Sequence, residues 1–454
     1  MKTILAGCMI ALGLLASAQA AEPSAILLNG TVVTPERVIE NGWVAVQNGK
    51  ITAVAAQKPN IVGAREIISK DYIFPGFVDL HNHPLYAMFP KWVPNQKFPN
   101  RYQWRNHPGY HKIIQQPEDI LVQKYFCDMD AYGELMALMG GTTSITGLFE
   151  PADTPKVEPC VVGLARNLDW ASGFYGTAVG QERIGNVLGI WPSDQKLSAQ
   201  TLSDFKAGKL DFIGVHLGEG KRSDQVNASE FAELEKAGLL TNKTGIIHGV
   251  ALGDAEFTKM AAAGTALIWS PRSNFELYSD TADVPGALKR RVSVALAPDW
   301  SPTGSMNMLG EINYAARVIE KNFGGDISNK QLFEMATSTP ARIAKIDDKV
   351  GSIKAGLYAD LFMLSSKNDD PYDALTVAKP EDITLVMVNG VPLFGTLEAF
   401  TKLGMSTSET VAICKLERAL NAAQLPEGGL TALADRLYGA LAGQNIVLGN
   451  LVSC

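Results

Sequence analysis

Several features are scarce or missing in this sequence, and each absence excludes a class of protein. The 454 residues include only five cysteines and six histidines, and 19% of them are charged. Beyond residue 20 no apolar run reaches the ~18 residues that a membrane-spanning helix needs. No low-complexity tract or block of like charge is present, which argues against a disordered or fibrous chain. The net charge of −7 lacks the basic excess typical of nucleic-acid or membrane-surface binding, so we expect a small-molecule partner.

The first twenty residues have the pattern of a secretory leader. Lys2 supplies a positive charge, Ile4 to Leu15 form an apolar stretch, and Ala18-Gln19-Ala20 is a small-residue cleavage site. We therefore expect a secreted protein, located in a bacterial periplasm, where disulfides can form. The four remaining cysteines lack the close spacing of a structural zinc site: Cys127, Cys160, Cys414 and Cys454. A Cys414–Cys454 disulfide and free buried thiols both stay open.

Two groups of short apolar runs lie far apart in the chain. The early runs are divided by Asn29-Gly30 and Asn48-Gly49, which are hairpin turn signals. The late runs are Ala359–Leu364 and Ile383–Val388, and the latter precedes the turn Asn389-Gly390. This arrangement predicts one small β-sandwich domain assembled from both ends of the chain.

Between these groups, apolar runs alternate with helical stretches, the pattern of β/α units around a parallel sheet. Seven strands are predicted at Ile73–Leu80, Thr142–Gly147, Cys160–Leu168, Asp211–Val215, Gly245–Ile247, Thr265–Trp269 and Val292–Ala297. An eighth is expected between Trp170 and Leu210 but has no clear position. The predicted fold is therefore α/β, a (β/α)8 TIM-like barrel with the β-sandwich domain beside it.

The last part of the chain is predicted to be a helical extension. Amphipathic helical patterns cover Glu398–Leu403, Glu409–Ala423 and Leu430–Ala442. The predicted domains are a leader at 1–20, β-sandwich parts at 21–71 and 349–396, the barrel at 72–348 and the extension at 397–454.

Four of the six histidines fall at the ends of predicted barrel strands. His81 and His83 follow the first strand, and strand side chains two residues apart point to the same face. His216 and His248 end two later strands, and Asp299 closes the last one. Active sites of these barrels lie at the carboxyl ends of the strands, so the five side chains are predicted to converge there.

The sequence Pro75-Gly76-Phe77-Val78-Asp79-Leu80-His81-Asn82-His83 resembles the opening signature of the amidohydrolase superfamily. Further stretches are similar to its cytosine deaminase and triazine hydrolase branch: His216-Leu217-Gly218-Glu219, His248-Gly249, Ser270-Pro271-Arg272-Ser273-Asn274 and Asp299. The resemblance covers Ala25 to Gly395. It departs at Ala297-Pro298-Asp299, where relatives usually have Gly-Thr-Asp, and residue 298 lacks an amide hydrogen.

The resemblance implies one divalent metal ion per chain, zinc or alternatively iron, held by His81, His83, His216 and Asp299. The ion would lower the pKa of a water molecule. Glu219 would carry a proton from that water to the leaving group, with His248 and Asp299 as further catalytic residues. Two-metal relatives place a bridging Lys or Glu on the fourth strand, where Glu182 is the best candidate and a poor one. A single metal is therefore favoured.

Substrate contacts are predicted on the loop Pro84 to Gln116, whose aromatic side chains include Trp92 and Trp104. They would stack on a flat, heterocyclic substrate, although a self-packing lid is equally compatible. His107 and His111 in this loop are interpreted as incidental. Arg272, Ser273 and Asn274 offer hydrogen-bond donors for a carboxylate or carbonyl group.

The leading hypothesis is a hydrolase that acts on carbon–nitrogen bonds other than peptide bonds, by deamination or by opening a cyclic amide. The alternatives are a binuclear amidase of the dipeptidase kind and a catalytically inactive binding protein on the same barrel. Glu219 argues against the binding protein, because ligand recognition alone needs no proton shuttle. Substrate identity and a homo-oligomeric state stay open.

Overall fold

The computed structural model describes residues 25–147, 164–168, 184–187, 199–405, 409–444 and 446–452. The predicted leader, Cys160, Glu182 and Cys454 lie outside these residues. The described helices include none with the length and apolar character of a membrane-spanning segment.

The strands, in chain order, are β1 (Ile26–Val33), β2 (Val38–Gln47), β3 (Lys50–Ala55), β4 (Arg65–Pro75), β5 (Phe77–Asp79), β6 (Thr142–Ile145), β7 (Arg166–Asn167), β8 (Ile184–Val187), β9 (Phe212–Leu217), β10 (Thr244–His248), β11 (Ala266–Trp269), β12 (Val294–Leu296), β13 (Leu361–Leu364), β14 (Ile383–Val388), β15 (Val391–Gly395), β16 (Glu409–Ile413) and β17 (Leu416–Leu420). The helices are α1 (Arg101–Trp104), α2 (Pro108–Tyr110), α3 (Gln116–Leu138), α4 (Ala199–Lys206), α5 (Gln225–Lys236), α6 (Asp254–Ala263), α7 (Pro271–Tyr278), α8 (Val284–Lys289), α9 (Met308–Phe323), α10 (Asn329–Ala336), α11 (Ser338–Ile343), α12 (Pro371–Val377), α13 (Leu397–Leu403) and α14 (Gly429–Ala440).

Strands from the two predicted β regions form one nine-stranded sheet, in the order β16-β17-β15-β14-β13-β4-β1-β2-β3. The two regions meet where β13 pairs antiparallel with β4, with Leu361 opposite Pro75. The strands of both regions are continuous in this one sheet, and its packing as a β-sandwich stays a prediction. An isolated bridge joins Lys50 to Tyr358, and Val46 packs in the same buried cluster as Leu385.

Two of the three predicted hairpin turns are confirmed. Asn48-Gly49 and Asn389-Gly390 both join paired antiparallel strands, and all four residues have positive φ, as two-residue hairpin turns of type I′ require. The turn predicted at Asn29-Gly30 is wrong, since both residues lie within β1. Gly30 is needed there because a Cβ atom would meet the carbonyl oxygen of Asp71 at 2.3 Å.

Eight parallel strands form the centre of the molecule. β5-β6-β7 make a three-stranded sheet and β12-β11-β10-β9-β8 a five-stranded one. Their outer strands meet at a parallel bridge between Asn82 and Asp299, where the Asp299 amide donates to the carbonyl of His81 at 3.1 Å. β8 (Ile184–Val187) is the strand that had no clear position in the sequence, because only two of its four residues are apolar.

The strand predicted over Ile73–Leu80 is divided at Gly76 into β4 and β5. A Cβ atom at Gly76 would meet the side chain of Thr143 at 2.1 Å, so this crossing from one sheet to the other requires glycine. The Gly76 amide donates to the carbonyl of Asp360 at 2.9 Å. The Asp360 carboxylate also receives two hydrogen bonds from the buried Arg166 guanidinium, at 2.6 and 2.9 Å. This ion pair links β7 of the parallel strands to the nine-stranded sheet next to β13.

The extension is only partly helical. α13 and α14 match two of the predicted helices, but the helix predicted over Glu409–Ala423 is wrong, because β16 and β17 form a hairpin there. Buried Val411 and Ile413 alternate with more exposed neighbours, which is a strand period, and Cys414 adopts a positive φ at the turn. The hairpin extends the sheet beyond β15.

The extension is also tied to α3. Arg436 of α14 makes a two-pronged ion pair with Asp128 of α3, at 2.6 and 2.8 Å. Cys127 and Cys414 are both disulfide-bonded, which excludes free thiols at these two positions. The pairing of Cys414 with Cys454 stays a prediction.

Candidate active site

Five predicted site residues lie at the carboxyl ends of four parallel strands. His81 and His83 follow β5, His216 lies in β9, His248 is the last residue of β10, and Asp299 follows β12. Four of the side chains are almost fully buried, and that of His83 is 12% exposed. The strand ends therefore bring these five side chains to one side of the parallel sheets.

The four predicted metal ligands have their donor atoms close together. His81 Nε2 lies 3.1 Å from His216 Nε2 and 3.2 Å from Asp299 Oδ1. His83 Nε2 lies 3.4 Å from the same oxygen. We call His81, His83, His216 and Asp299 the ligand group. Three imidazole nitrogens and one carboxylate oxygen form a donor set that suits zinc.

Burial favours the protonation states that bind a metal ion. Desolvation lowers the pKa of His81, and it lowers that of His216 well below the usual range, with help from neighbouring cationic groups. Burial alone would raise the pKa of Asp299, but the imidazoles of His81 and His83 bring it well below its usual value. Neutral imidazoles and an ionised carboxylate are the forms that coordinate a divalent cation, so the group fits one.

Two of the site residues have a backbone conformation that non-glycine residues rarely adopt. φ is 68° at His248 and 65° at Asp299. Such residues cost of order 1–3 kcal/mol and persist where the surrounding structure fixes them, which is common at functional sites. Pro298, which departs from the related signature, does not prevent Asp299 from reaching the ligand group.

Neighbouring side chains orient His81. Its Nδ1 atom lies 2.9 Å from the Ser270 hydroxyl, which leaves Nε2 facing the other ligands. The Asp79 carboxylate accepts hydrogen bonds from the His81 amide at 3.1 Å and from the Asn82 side chain at 2.6 Å. The His-Asn-His segment is therefore held from both its main chain and its side chains.

Glu219 lies beside the ligand group and is 3% exposed, so it is not a solvated loop carboxylate. Its Oε1 atom accepts a hydrogen bond of 2.5 Å from the Tyr278 hydroxyl. Its Oε2 atom lies 3.7 Å from His248 Nε2 and 3.7 Å from Arg101 Nε. A carboxylate in this position can accept and return a proton next to the candidate metal centre.

His248 is oriented by Asn274. Its Nδ1 atom lies 2.8 Å from Asn274 Oδ1, while the Asn274 amide nitrogen donates to the Thr281 hydroxyl at 3.2 Å. The amide orientation places the His248 proton on Nδ1 and leaves a lone pair on Nε2. His248 forms a second group of candidate ligands with His81 and His216, whose ligand atoms all lie within 4.8 Å of one another.

Comparison with protein families agrees with this geometry. The profile of the amidohydrolase family matches residues 213–393, which include His216, Glu219, His248 and Asp299. The chain carries an amidohydrolase family domain.

The curated relatives of this chain include proteins named as deaminases. A 5'-deoxyadenosine deaminase of Methanopyrus kandleri is 25% identical over 376 residues, which cover 75% of this chain and 85% of the relative. A 5-methylthioadenosine/S-adenosylhomocysteine deaminase of Desulfitobacterium hafniense is 24% identical over 411 residues, covering 81% and 92%.

Solved structures share the fold of this chain. An adenosine deaminase from Xanthomonas campestris with bound zinc has a TM-score of 0.64 at 18% identity, covering 92% of this chain and 98% of that one. An atrazine chlorohydrolase from Arthrobacter aurescens complexed with zinc has a TM-score of 0.65 at 18% identity, covering 92% and 100%. These likenesses establish an α/β, TIM-like barrel fold.

The three polar residues predicted to contact the substrate differ in what they contact. Asn274 supports His248, as described above. Ser273 is buried, and its hydroxyl donates to the carbonyl of Ser270 at 3.4 Å. Arg272 lies over the Tyr314 ring of α9, and its amide donates to Glu311 at 3.0 Å. Within the described residues, neither Ser273 nor Arg272 directly contacts the ligand group.

The predicted aromatic loop forms a cluster beside His83. Trp92 is buried against Trp104, and Trp104 packs on Trp300 with 5.5 Å between ring centroids. Trp300 in turn lies 6.2 Å from the His83 ring. His107 caps α2, which agrees with its interpretation as incidental.

Sequence reasoning missed two residues of the site, Tyr278 and Arg101. Tyr278 lies four residues after Asn274 on α7, so helical spacing places both on one face and provides a signal that could have found it. Arg101 lies in the aromatic loop, which was singled out for its rings. It has no signal of its own in the sequence.

Proposed function

We propose that this chain is a metal-dependent hydrolase that cleaves a carbon–nitrogen bond of a small, flat nitrogen compound, by deamination or by opening a cyclic amide. The observation that supports this most is the buried Glu219 carboxylate beside three histidines and Asp299. The two relatives reported above are named as deaminases of 5'-deoxyadenosine and of 5-methylthioadenosine/S-adenosylhomocysteine, which favours an amino-substituted heterocycle as substrate.

The ligand group would hold one zinc ion per chain, and iron is the alternative. Bound there, the ion would lower the pKa of a water molecule and polarise the bond to be cleaved. The ligand group offers N and O donors of the kind that zinc prefers, and two structural neighbours contain zinc. Glu182, the poor candidate for a residue that bridges to a second ion, lies outside the described residues.

The residues divide the remaining work between them. Glu219 accepts a proton from the attacking water and delivers it to the leaving nitrogen, since water must lose a proton and an amine must gain one. His248 presents Nε2 to the same space and orients the water or the substrate. Trp104 and Trp92 would bound the flat face of the substrate, while Arg272, Ser273 and Asn274 remain proposed contacts to its polar groups.

We also place the protein in an oxidising compartment. The support is the leader pattern of residues 1–20 together with the disulfide bonds of Cys127 and Cys414. Counting free thiols under denaturant in protein from a secretory compartment tests this, and four free thiols in the mature chain would contradict it.

The decisive experiment combines metal analysis with a screen for ammonia release. Purified protein is assayed for zinc and iron per chain, then tested on aminated purines, other aminated heterocycles and cyclic amides, with ring opening followed separately. We expect about one ion per chain and turnover that requires it. Two ions per chain would favour the binuclear amidase. A metal-loaded protein that turns over no compound of either class would contradict the proposal.

A further inference from the structure

Tyr278 ends α7 with its side chain buried, 1% exposed, and its hydroxyl directed at Glu219. We propose that Tyr278 is a positioning residue, which fixes the Glu219 carboxylate in the orientation that the reaction requires. The inference rests on the proposed role of Glu219 as the proton carrier.

The direction of the hydrogen bond follows from a third residue. The indole nitrogen of Trp104 lies 2.7 Å from the Tyr278 oxygen. An indole N–H can only donate, so the Tyr278 oxygen is the acceptor of this bond. The single hydroxyl proton of Tyr278 is therefore left for Glu219 Oε1, at 2.5 Å. Trp104 therefore donates to Tyr278, and Tyr278 donates to Glu219.

These hydrogen bonds give the two oxygens of the Glu219 carboxylate different partners. Oε1 is occupied by the Tyr278 hydroxyl, so Oε2 is the oxygen that faces His248 Nε2, 3.7 Å away. Without the hydroxyl, rotation about the last side-chain bond of Glu219 would exchange the oxygens or turn the carboxylate away. Hydrogen bonds to charged groups are short and strong, and a buried carboxylate gains most from them.

The same contact couples the aromatic loop to the proton carrier. Trp104 belongs to the loop and Tyr278 to α7, and they meet only through the fold, 174 positions apart in the chain. The packing of Trp104 against Trp300 positions the indole N–H. That N–H donates to the Tyr278 oxygen and so orients the Tyr278 hydroxyl.

The direct test is structural and needs no substrate. Crystal structures of the zinc-loaded parent and of Tyr278→Phe are compared at Glu219. We expect the carboxylate to leave its place beside His248 in the variant. Tyr132→Phe is the matched control, because it removes a tyrosine hydroxyl bond of 2.6 Å to the Gly449 carbonyl, and Glu219 should stay in place there. An unmoved Glu219 in Tyr278→Phe overturns the inference.

The kinetic test uses whichever substrate the ammonia screen identifies. Tyr278→Phe should lower kcat by about 10- to 100-fold, the range for one hydrogen bond to a charged group, with KM nearly unchanged. Added to Glu219→Gln it should cause no further loss, because Tyr278 acts only through Glu219. An equal loss in both backgrounds would overturn the inference. A parent that turns over no substrate contradicts the proposed function alone, since the structural comparison still decides on Tyr278.

Discussion

The ligand group lies at the ends of parallel strands, whereas the proton-transfer pair, Glu219 and His248, depends on hydrogen bonds from α7. The strand-end main chain sets where the ligands lie, through contacts such as the bond between the Asp299 amide and His81. The orientation of the pair instead comes from the side chains of Tyr278 and Asn274. Removing the side chain of Tyr278 or Asn274 should therefore impair proton transfer and leave metal binding intact.

The largest expected effect is the loss of a ligand. His216→Ala removes one of three imidazoles, and the protein should lose both its metal and its activity, as measured by metal analysis and ammonia release. His107→Ala is the control for metal content, because His107 caps α2, packs on Trp92 and Phe98, and is not a member of the ligand group. Full metal occupancy in His216→Ala would remove this residue from the ligand group.

The next effect distinguishes the proton-transfer pair from the ligand group. Glu219→Gln keeps the size of the side chain but cannot take up a proton, so kcat should fall by roughly 10²–10⁴ while metal content and substrate binding persist. Glu118→Gln is a matched control, since Glu118 also accepts a tyrosine hydroxyl bond, 2.7 Å from Tyr86. A Glu219→Gln protein with full activity would pass the role to His248 or Asp299.

A smaller effect is expected at Asn274, whose side-chain oxygen lies 2.8 Å from His248 Nδ1. Asn274→Leu removes the acceptor of the His248 Nδ1 proton, and kcat should fall by about 10- to 100-fold, as for other residues that orient a site histidine. Asn274→Asp retains an acceptor oxygen and should restore part of the loss. Equal kinetics of the Leu and Asp variants would show that the hydrogen bond to His248 is not what matters.

The smallest effect concerns the stability of the metal-free protein. Burial lowers the pKa of His216 in the folded state, so the unfolded state binds more protons as the pH falls below the ordinary histidine value of about 6.5. Stability should therefore decrease from pH 7 to pH 5, measured as the thermal midpoint. His216→Asn should flatten this decrease. A midpoint with the same pH dependence in both proteins would contradict it.

Much of the ligand group could be predicted from the sequence. His81 and His83 follow an apolar strand at a spacing of two, and His216 and His248 end similar runs, so strand geometry alone brings them together. Tyr278 and Arg101 could not be found this way, because their contacts with Glu219 join loops and helices far apart in the chain. Arg101 has no periodic signal in the sequence, and Tyr278 has only its spacing of four residues from Asn274 on α7.

The fold could be predicted where a hydrophobic pattern repeated over many residues or where a turn had a specific sequence. Asn48-Gly49 and Asn389-Gly390 form the predicted hairpins. β8 escaped notice because Ile184 and Val187 are its only apolar residues. The hairpin β16–β17 was mistaken for a helix, because a few apolar positions fit both periods and only pairing with β15 decides between them.

The bridge between Asn82 and Asp299 has a thermodynamic consequence. It is where the first and last parallel strands meet, and ligands lie on both sides of it, His81 and His83 on one and Asp299 on the other. A divalent ion bound by ligands on both sides of the bridge would crosslink β5 to β12. Its binding free energy would then also stabilise the junction between these two strands. Removal of the ion should therefore increase amide hydrogen exchange first along these two strands, and later along β10 on the interior of the five-stranded sheet.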